Sequence, residues 1–350
     1  MTVGLKMTVL VPAWNEEADI AGCVDAIGAQ DYPMAEVQLI VVDAESEDLT
    51  RVEVEKSAAR YGFAEVLVLD NPARRTSVGL NIGLQEARGA FLARVDARSR
   101  IPAGYLRTCE ETLRRRPEVG VVGGAQVARA RSPRPVDVGI AGALRNRLAT
   151  GMSRYRRAST SGPSDTVWMG FFRTDELREL GGWSDAVALN EDYELNTRYR
   201  AAGRTVWFDA SLRSGYLPRT SLPGLARQYF RFGRVKGMWW ARGQRPAPRQ
   251  IALMVSPVTL GVALAGLVRR FGPVAVVLVP LLLASVERAG RRDRDDEPRA
   301  PVMASTAIAL LSGSWWVGVL AGFAGELARP RPARHRVPPR ATPLPEHPTT

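Results

Sequence analysis

The sequence predicts an open α/β domain followed by a membrane-attached C-terminal region, and three observations lead there. From Met7 to about Gly124, short β-branched runs alternate with stretches of helical period, the pattern of a parallel sheet flanked by helices. The first, second and fourth of those runs end in clusters of polar and acidic residues. Near Ile251 the composition changes, and long apolar stretches recur from there to about Leu327.

The strand runs are Met7 to Val11, Val37 to Val42, Ala64 to Leu69, Phe91 to Val95 and Val119 to Val122. The clusters that follow three of them are Pro12-Ala13-Trp14-Asn15-Glu16, Asp43-Ala44-Glu45-Ser46-Glu47-Asp48 and Asp96-Ala97-Arg98. Open α/β sheets bind ligands outside the carboxyl ends of their strands, so the clusters should share one crevice. Further on, Arg145 to Ser164 is rich in Arg, Ser and Gly and has no period, which suggests a mobile loop beside that crevice. Trp168 to Arg173 and Thr205 to Phe208 look like strands, and Asp192 to Ala202 like a helix closed by Gly203. No internal repeat is present.

From Leu222 to Trp240, Leu225, Tyr229, Phe230, Phe232, Met238, Trp239 and Trp240 interleave with Arg227, Arg231, Arg234 and Lys236. Such a helix suits a bilayer surface, with rings at headgroup depth and cations toward lipid phosphate; the alternative is a surface helix covering the α/β core. Residues 251–268 and 302–327 are long enough to span, given the ~20 apolar residues that a bilayer requires, and a third stretch, 272–287, is shorter. Buried helices of a soluble domain would normally show a polar face, which these lack. Arginines flank all three segments, so the positive-inside rule would hold each flank in the cytoplasm. Three full spans would break it, unless the third segment doubles back. Gly313, Gly318, Gly322 and Gly325 would ease close packing or a bend in that segment. The expected division is residues 1–220 as the α/β domain, 221–250 as the interfacial segment, 251–328 as the transmembrane region and 329–350 as a disordered, basic, Pro-rich tail.

The net charge of +12 is carried almost entirely by arginine and favours polyanions: nucleic acid, anionic lipid or phosphorylated substrates. The basic residues flank apolar segments instead of forming a separate module, which argues against nucleic acid as a partner. Cys23 and Cys109 are the only cysteines; they should be buried thiols, and no Cys/His spacing suits zinc. Met1 to Val11 does not read as a signal peptide, so the first domain is expected in the cytoplasm.

Transfer of a sugar from a nucleotide diphosphate needs a pocket for base and ribose, a group to neutralise the leaving diphosphate, and a base for the acceptor hydroxyl. Asp43, ending the second strand, is placed to accept hydrogen bonds from a nucleobase edge. Asp48 either assists it or caps the following helix.

Val11-Pro12-Ala13-Trp14-Asn15-Glu16-Glu17, the Asp43 cluster, Asn81-Ile82-Gly83, Arg94-Val95-Asp96-Ala97, Asn190-Glu191-Asp192 and Gln228-Tyr229-Phe230-Arg231-Phe232 occur in the order seen in family 2 glycosyltransferases. Over about residues 7 to 240 the sequence most resembles the membrane-attached exopolysaccharide glucosyltransferases of the succinoglycan type. The resemblance implies an inverting transferase of GT-A fold, a Rossmann-like nucleotide-diphospho-sugar transferase domain. Asp43 would be its uracil-binding aspartate, and Pro12, Asn15, Glu16, Asp48 and Asn81 would line the nucleotide pocket. Asp96 would be the first aspartate of an Asp-x-Asp motif that brings Mg²⁺ or Mn²⁺ to the diphosphate.

Asp192 would be the catalytic base, with Glu191 beside it, although an acid there also suits a helix N-cap. Gln228 to Phe232 matches Gln-x-x-Arg-Trp with Phe232 for Trp, so that Arg231 would hold the diphosphate and Gln228 and Phe232 would border the acceptor. The sequence departs from the family at Arg98, a cation where the family carries a second acid or a histidine, and a cation cannot ligate a metal. Either Arg98 meets the diphosphate itself, or metal binding and activity are weak. The implied reaction moves a hexose, glucose from UDP-glucose, to a lipid-linked saccharide or other membrane acceptor in cell-surface polysaccharide synthesis. It would run in a multi-pass protein of the cell membrane, in contact with membrane lipids. The alternative is a catalytically inactive relative that binds a nucleotide sugar within a polysaccharide assembly complex.

Overall fold

The protein is described by a computed structural model covering residues 5–146, 155, 160–186, 190–243, 246, 265–266, 268–272 and 299–328. Three parallel pairings form the nucleus of its sheet. β1 (Met7–Ala13) lies between β2 (Val37–Asp43) and β4 (Phe91–Arg94), and β3 (Glu65–Asp70) flanks β2. β2 is buried along its whole length, as a strand covered on both faces must be. The pleat sorts β1 by parity: Met7, Val9 and Val11 enter one core and Leu10 the other. Helix α1 (Ile20–Gly28) covers the first face with Ile20, Cys23, Val24 and Ile27, a single helical stripe. Helix α2 (Thr50–Ala58) follows β2, and α3 (Thr76–Glu86) covers the second face with Leu80 and Leu84. Both cysteines are buried free thiols, as expected.

The sheet is mixed, not parallel throughout. Its order is β3-β2-β1-β4-β8-β6-β9-β5, where β5 is Ser99–Arg100, β6 Val119–Ala128, β8 Trp168–Arg173 and β9 Thr205–Tyr216; β7 (Gly162–Pro163) pairs with β9 off this path. β8 runs antiparallel to both β4 and β6, and its run Trp168 to Phe172 is buried enough to fill that interior position. α4 (Tyr105–Arg115) packs Tyr105, Leu106, Cys109 and Leu113 beneath this half. β9 extends well beyond the expected Thr205–Phe208. A register shift after Gly124 separates its two halves, and the turn there is closed by Ser211 Oγ donating to Asp209 Oδ1 at 2.6 Å. A side chain at Gly124 would strike the Leu212 carbonyl.

Further helices are α5 (Pro135–Arg145), α6 (Thr174–Glu179), α7 (Glu191–Ala201), α8 (Leu222–Ala241) and α9 (Pro301–Leu327). Of the described helices, only α9 is long and apolar enough to cross a membrane by length and composition. The expected spans at 251–268 and 272–287 lie almost wholly outside the described residues, as do most of the 145–164 loop and the tail at 329–350.

α9 is docked against the α/β domain. Ala307, Ile308 and Leu311 form one cluster with Ile140, Ala141 and Leu144 of α5 and Leu225 of α8. Further along, α8 and α9 interlock through glycines. A Cβ on Gly233 or Gly237 would strike the carbonyls of Trp315 or Val319, and one on Gly318 or Gly322 those of Phe230 or Arg234. Glycines four residues apart on each helix allow this backbone approach. Contact positions rise together on the two helices, so they run in the same direction, and Arg242 Nε pairs with Glu326 Oε1 at 2.8 Å near their C-terminal ends. Gly313 and Gly325, also expected to aid packing, face open space.

Candidate active site

The loops after β1 and β2 are stitched together at the carboxyl edge of the sheet. Asn15 N donates to Ser46 Oγ at 2.8 Å, Glu47 N to Asn15 Oδ1 at 2.9 Å and Glu16 N to Thr50 Oγ1 at 2.8 Å. Asn15 and Glu45 adopt the left-handed backbone region, with φ of 51° and 55°, a conformation held only where surroundings dictate it. Pro12 lies on β1 beside them.

Asp43 is buried at the end of β2. Its Oδ1 accepts from Ser46 Oγ at 2.5 Å and its Oδ2 from Arg51 Nε at 2.7 Å. Asp48 accepts from the amides of Glu17 at 3.1 Å and Thr50 at 3.0 Å and from the Thr50 hydroxyl; partial burial raises its pKa, but the Thr50 hydroxyl first and then the two amides favour the charged form and hold it below the ordinary aspartate value. Its Oδ1 thus serves the first residue of α2 and its Oδ2 the loop after β1, while the N-cap position of α2 is Leu49, with no side-chain cap.

The second part of the site is a charge cluster centred on Arg94, which ends β4 with only 6% of its side chain exposed. Its Nε donates to Asp96 Oδ1 at 2.9 Å, its Nη1 to Asp192 Oδ1 at 2.5 Å and its Nη2 to Glu191 Oε1 at 3.0 Å. Burial opposes the guanidinium charge, but Asp192, Asp96 and Glu191 together outweigh it and keep Arg94 protonated. Burial dominates at Asp192 and, with Glu191 and Asp96 adding and Arg94 opposing, pushes its pKa up to about 7. Its side chain keeps 22% of its surface exposed. Asn190, at the N-cap of α7, has φ of 64° and sets the turn that delivers both acids.

A third cluster lies beside the second. Arg98 Nε donates to Glu16 Oε2 at 2.6 Å, and Arg131 donates to both oxygens of Asp19 at 2.5 and 2.6 Å. Burial raises the Glu16 pKa, and Arg98 opposes the rise. Arg98 therefore turns toward the loop after β1 and ion-pairs with Glu16.

Asn81 does not reach this edge with a free amide. Its Nδ2 donates to Trp183 O at 2.7 Å and its Oδ1 accepts from Trp183 N at 2.9 Å, clamping the segment before α7 to α3. Each end of the carboxamide is thus engaged by the Trp183 backbone. On α8, Arg231 is exposed, Gln228 is partly buried, and Phe232 stacks edge-on against Tyr229 with centroids 5.6 Å apart. Lys236 lies 4.8 Å from the Tyr193 ring, tying α8 to the helix that carries Asp192.

Arg94 stands in the Arg94-Val95-Asp96-Ala97 motif, and no role for it follows from the sequence alone. The signal was a charged residue closing an otherwise apolar strand. Asp96 offers a divalent cation a single carboxylate whose oxygens already accept from Arg94 and from Trp168 Nε1, the latter at 3.2 Å. No group of three or more potential metal-binding side chains occurs among the described residues. This donor set fits an ion that arrives with a diphosphate and takes its other oxygens from phosphate and water; it does not fit a cage built by protein alone.

The protein-family model described as "Glycosyltransferase like family 2" matches residues 5–234. The succinoglycan biosynthesis protein ExoA of Rhizobium meliloti is 28% identical over 262 residues, which cover 73% of this chain and 77% of that protein. The dolichyl N-acetyl-alpha-D-glucosaminyl phosphate 3-beta-D-2,3-diacetamido-2,3-dideoxy-beta-D-glucuronosyltransferase of Methanococcus voltae is 23% identical, over 68% of this chain and 74% of its own length. Among solved structures, the mannosyltransferase PcManGT of Pyrobaculum calidifontis, in complex with GDP-Man and Mn²⁺, superposes with a TM-score of 0.60 at 21% identity, over 90% of this chain and 87% of its own. That identity supports a likeness of fold, GT-A-like α/β. With the family model covering well over half its length, the chain belongs to glycosyltransferase family 2.

Proposed function

We propose that the protein is an inverting hexosyltransferase that takes glucose from UDP-glucose and passes it to a lipid-linked saccharide or other membrane acceptor. The gathering of Asp96, Glu191 and Asp192 on one buried arginine, beside loops suited to a nucleotide, supports this reading most directly. In the reaction Asp192 takes the proton of the acceptor hydroxyl while that oxygen forms a bond to the anomeric carbon. The bond from that carbon to the diphosphate oxygen breaks, and the nucleoside diphosphate leaves with the electron pair. Arg94 orients the Asp192 carboxylate, and Glu191 and Asp96 share the same guanidinium. Asp43, Asn15, Glu16 and Pro12 bound the nucleotide side. Asp96 would hold Mg²⁺ or Mn²⁺, which when bound neutralises charge on the diphosphate.

GDP-Man and Mn²⁺ in the PcManGT complex support a nucleotide-sugar donor and a divalent ion. The name of the M. voltae relative, with its dolichyl phosphate-linked sugar, supports a lipid-linked acceptor, and that of ExoA a role in polysaccharide synthesis. The division at residues 220, 250 and 328 and multi-pass attachment belong to the same proposal, and α9 supports attachment by its length.

Membranes carrying the protein, incubated with a panel of labelled nucleotide sugars, test the reading. Label entering a lipid-soluble product from UDP-glucose supports it. Transfer from another nucleotide sugar alone replaces the donor, and no transfer with any donor or divalent ion points to the inactive, nucleotide-sugar-binding alternative. Full activity in EDTA would remove the metal role of Asp96.

A further inference from the structure

We infer that Arg219, together with Arg98 and Arg231, forms a guanidinium cradle for the donor's diphosphate, and that Arg219 makes the site prefer a nucleoside diphosphate over a monophosphate. The inference rests on the transferase reading above and extends it to a residue outside any motif. β9 brings Arg219 to the site. Leu217 N donates to Arg98 O at 3.0 Å where β9 ends against β5, so two residues later the chain leaves the sheet beside Arg98. It then enters α8, where Ser221 Oγ accepts from Gly224 N at 3.2 Å. The stem of Arg219 lies over that first turn: a Cβ on Gly224 would sit 3.6 Å from Arg219 Cβ.

Charge accounting shows what such a group would bind. The acid cluster sets three carboxylates (Asp96, Glu191, Asp192) against one guanidinium, Arg94. The neighbouring cluster sets Arg98 and Arg131 against Glu16 and Asp19, one carboxylate for each, and is neutral. Arg219 and Arg231 add two further charges, and among the described residues neither has a carboxylate within ion-pair distance. Arg219 reaches solvent. Partial desolvation and then the charge of Arg98 lower its pKa, with Arg231 adding and Glu16 and Tyr216 opposing. Like charges held together in this way are relieved by an anion carrying more than one charge, and guanidinium groups suit phosphate oxygens. A diphosphate lying across Arg98, Arg219 and Arg231 would direct the attached sugar toward the oppositely charged acid cluster.

The test is calorimetric titration of the full-length, detergent-solubilised protein with UDP, UMP, GDP and GMP in EDTA. Wild type is expected to bind one diphosphate at least about tenfold more tightly than its monophosphate, the size of a charge-assisted contact. Arg219→Ala should lose most of that gap while its monophosphate affinity, which reports an intact base pocket, stays unchanged. Arg219→Lys should keep part of the gap. An Arg219→Ala variant that retains the wild-type gap overturns the inference and leaves the transferase reading standing. Wild type that binds none of the four nucleotides, in EDTA and again with Mg²⁺ or Mn²⁺ added, overturns the transferase reading itself. Vesicles containing phosphatidylglycerol distinguish a lipid phosphate from the nucleotide: loss of vesicle binding by Arg219→Ala with nucleotide binding intact also overturns the inference.

Discussion

Arg94 Nη1 donates to Asp192 Oδ1 at 2.5 Å, joining the end of a central strand to the first turn of a helix 98 residues later in the chain. This contact fixes the orientation of the proposed base before any substrate is present. It also opposes, without cancelling, the rise in pKa that burial imposes on Asp192.

A base works deprotonated, so kcat/KM should rise with pH through an apparent pKa of about 7, the value to which Asp192 is pushed. Asp192→Asn should bind donor normally and lose transfer by at least about a hundredfold. A pH profile of the wild type and single-turnover transfer by the variant check both points, and near-normal turnover by Asp192→Asn would exclude it as the base.

The same shift carries a stability consequence. Its folded-state pKa of about 7 lies above the ordinary 3.8, so the folded protein binds this proton more tightly than the unfolded chain. The stability gained from that proton is complete below about pH 4 and is lost as pH rises through about 7. Asp192→Asn should therefore be more stable than wild type at pH 8 and show no such advantage at pH 4. Urea denaturation at the two pH values measures the difference.

Arg94→Met would leave three clustered acids without their shared cation. Removing one partner of a buried ion pair costs about 3–5 kcal/mol, and here three partners are exposed to mutual repulsion. Arg94→Lys keeps the charge but loses the planar fork, so it should fall between. Denaturation midpoints give the stabilities, and a pH–rate profile of Arg94→Lys should shift relative to wild type if Arg94 positions the base.

Gly318→Leu should unseat α9 from α8, because its side chain would meet the Phe230 carbonyl, whereas Gly313→Leu points into open space and should be tolerated. A cysteine pair placed across the helix contact, crosslinked in the Gly313→Leu background but not in the Gly318→Leu background, would establish the interlock. Equal crosslinking in both would refute it.

Much of this was legible in the sequence where local pattern and tertiary position coincide. The strands at Met7, Val37 and Trp168 stand out because buried strands read as continuous apolar runs, and Gly203 marked the end of α7 by its left-handed conformation, with φ of 77°. The antiparallel insertion of β8 left no local trace, since a buried strand has the same composition in either direction. The length of β9 was hidden by the register shift at Gly124, where polar residues interrupt the run. Asp43, Asp96 and Asp192 could be named from their motifs, but the partner that unites the last two could not, because Arg94 takes its meaning from residues distant in sequence. Asn81 shows the converse: the motif marked the residue, and its two contacts with Trp183 give it a structural task.

The glycine interlock has a mechanical consequence. Two helices that run in the same direction and touch backbone to backbone cannot tilt independently. Any bilayer that sets the inclination of α9 therefore sets that of α8, and with it the height of Arg231 above the lipid. An upright α9 would carry Arg234 and Lys236 toward hydrocarbon, where a centrally placed cation costs about 2.5–3.5 kcal/mol by insertion scales. A shallow α9 would keep them among headgroups. If α9 lies in a bilayer as proposed, bilayer thickness and lipid charge become physical inputs to the geometry of the proposed site, conveyed through four glycines.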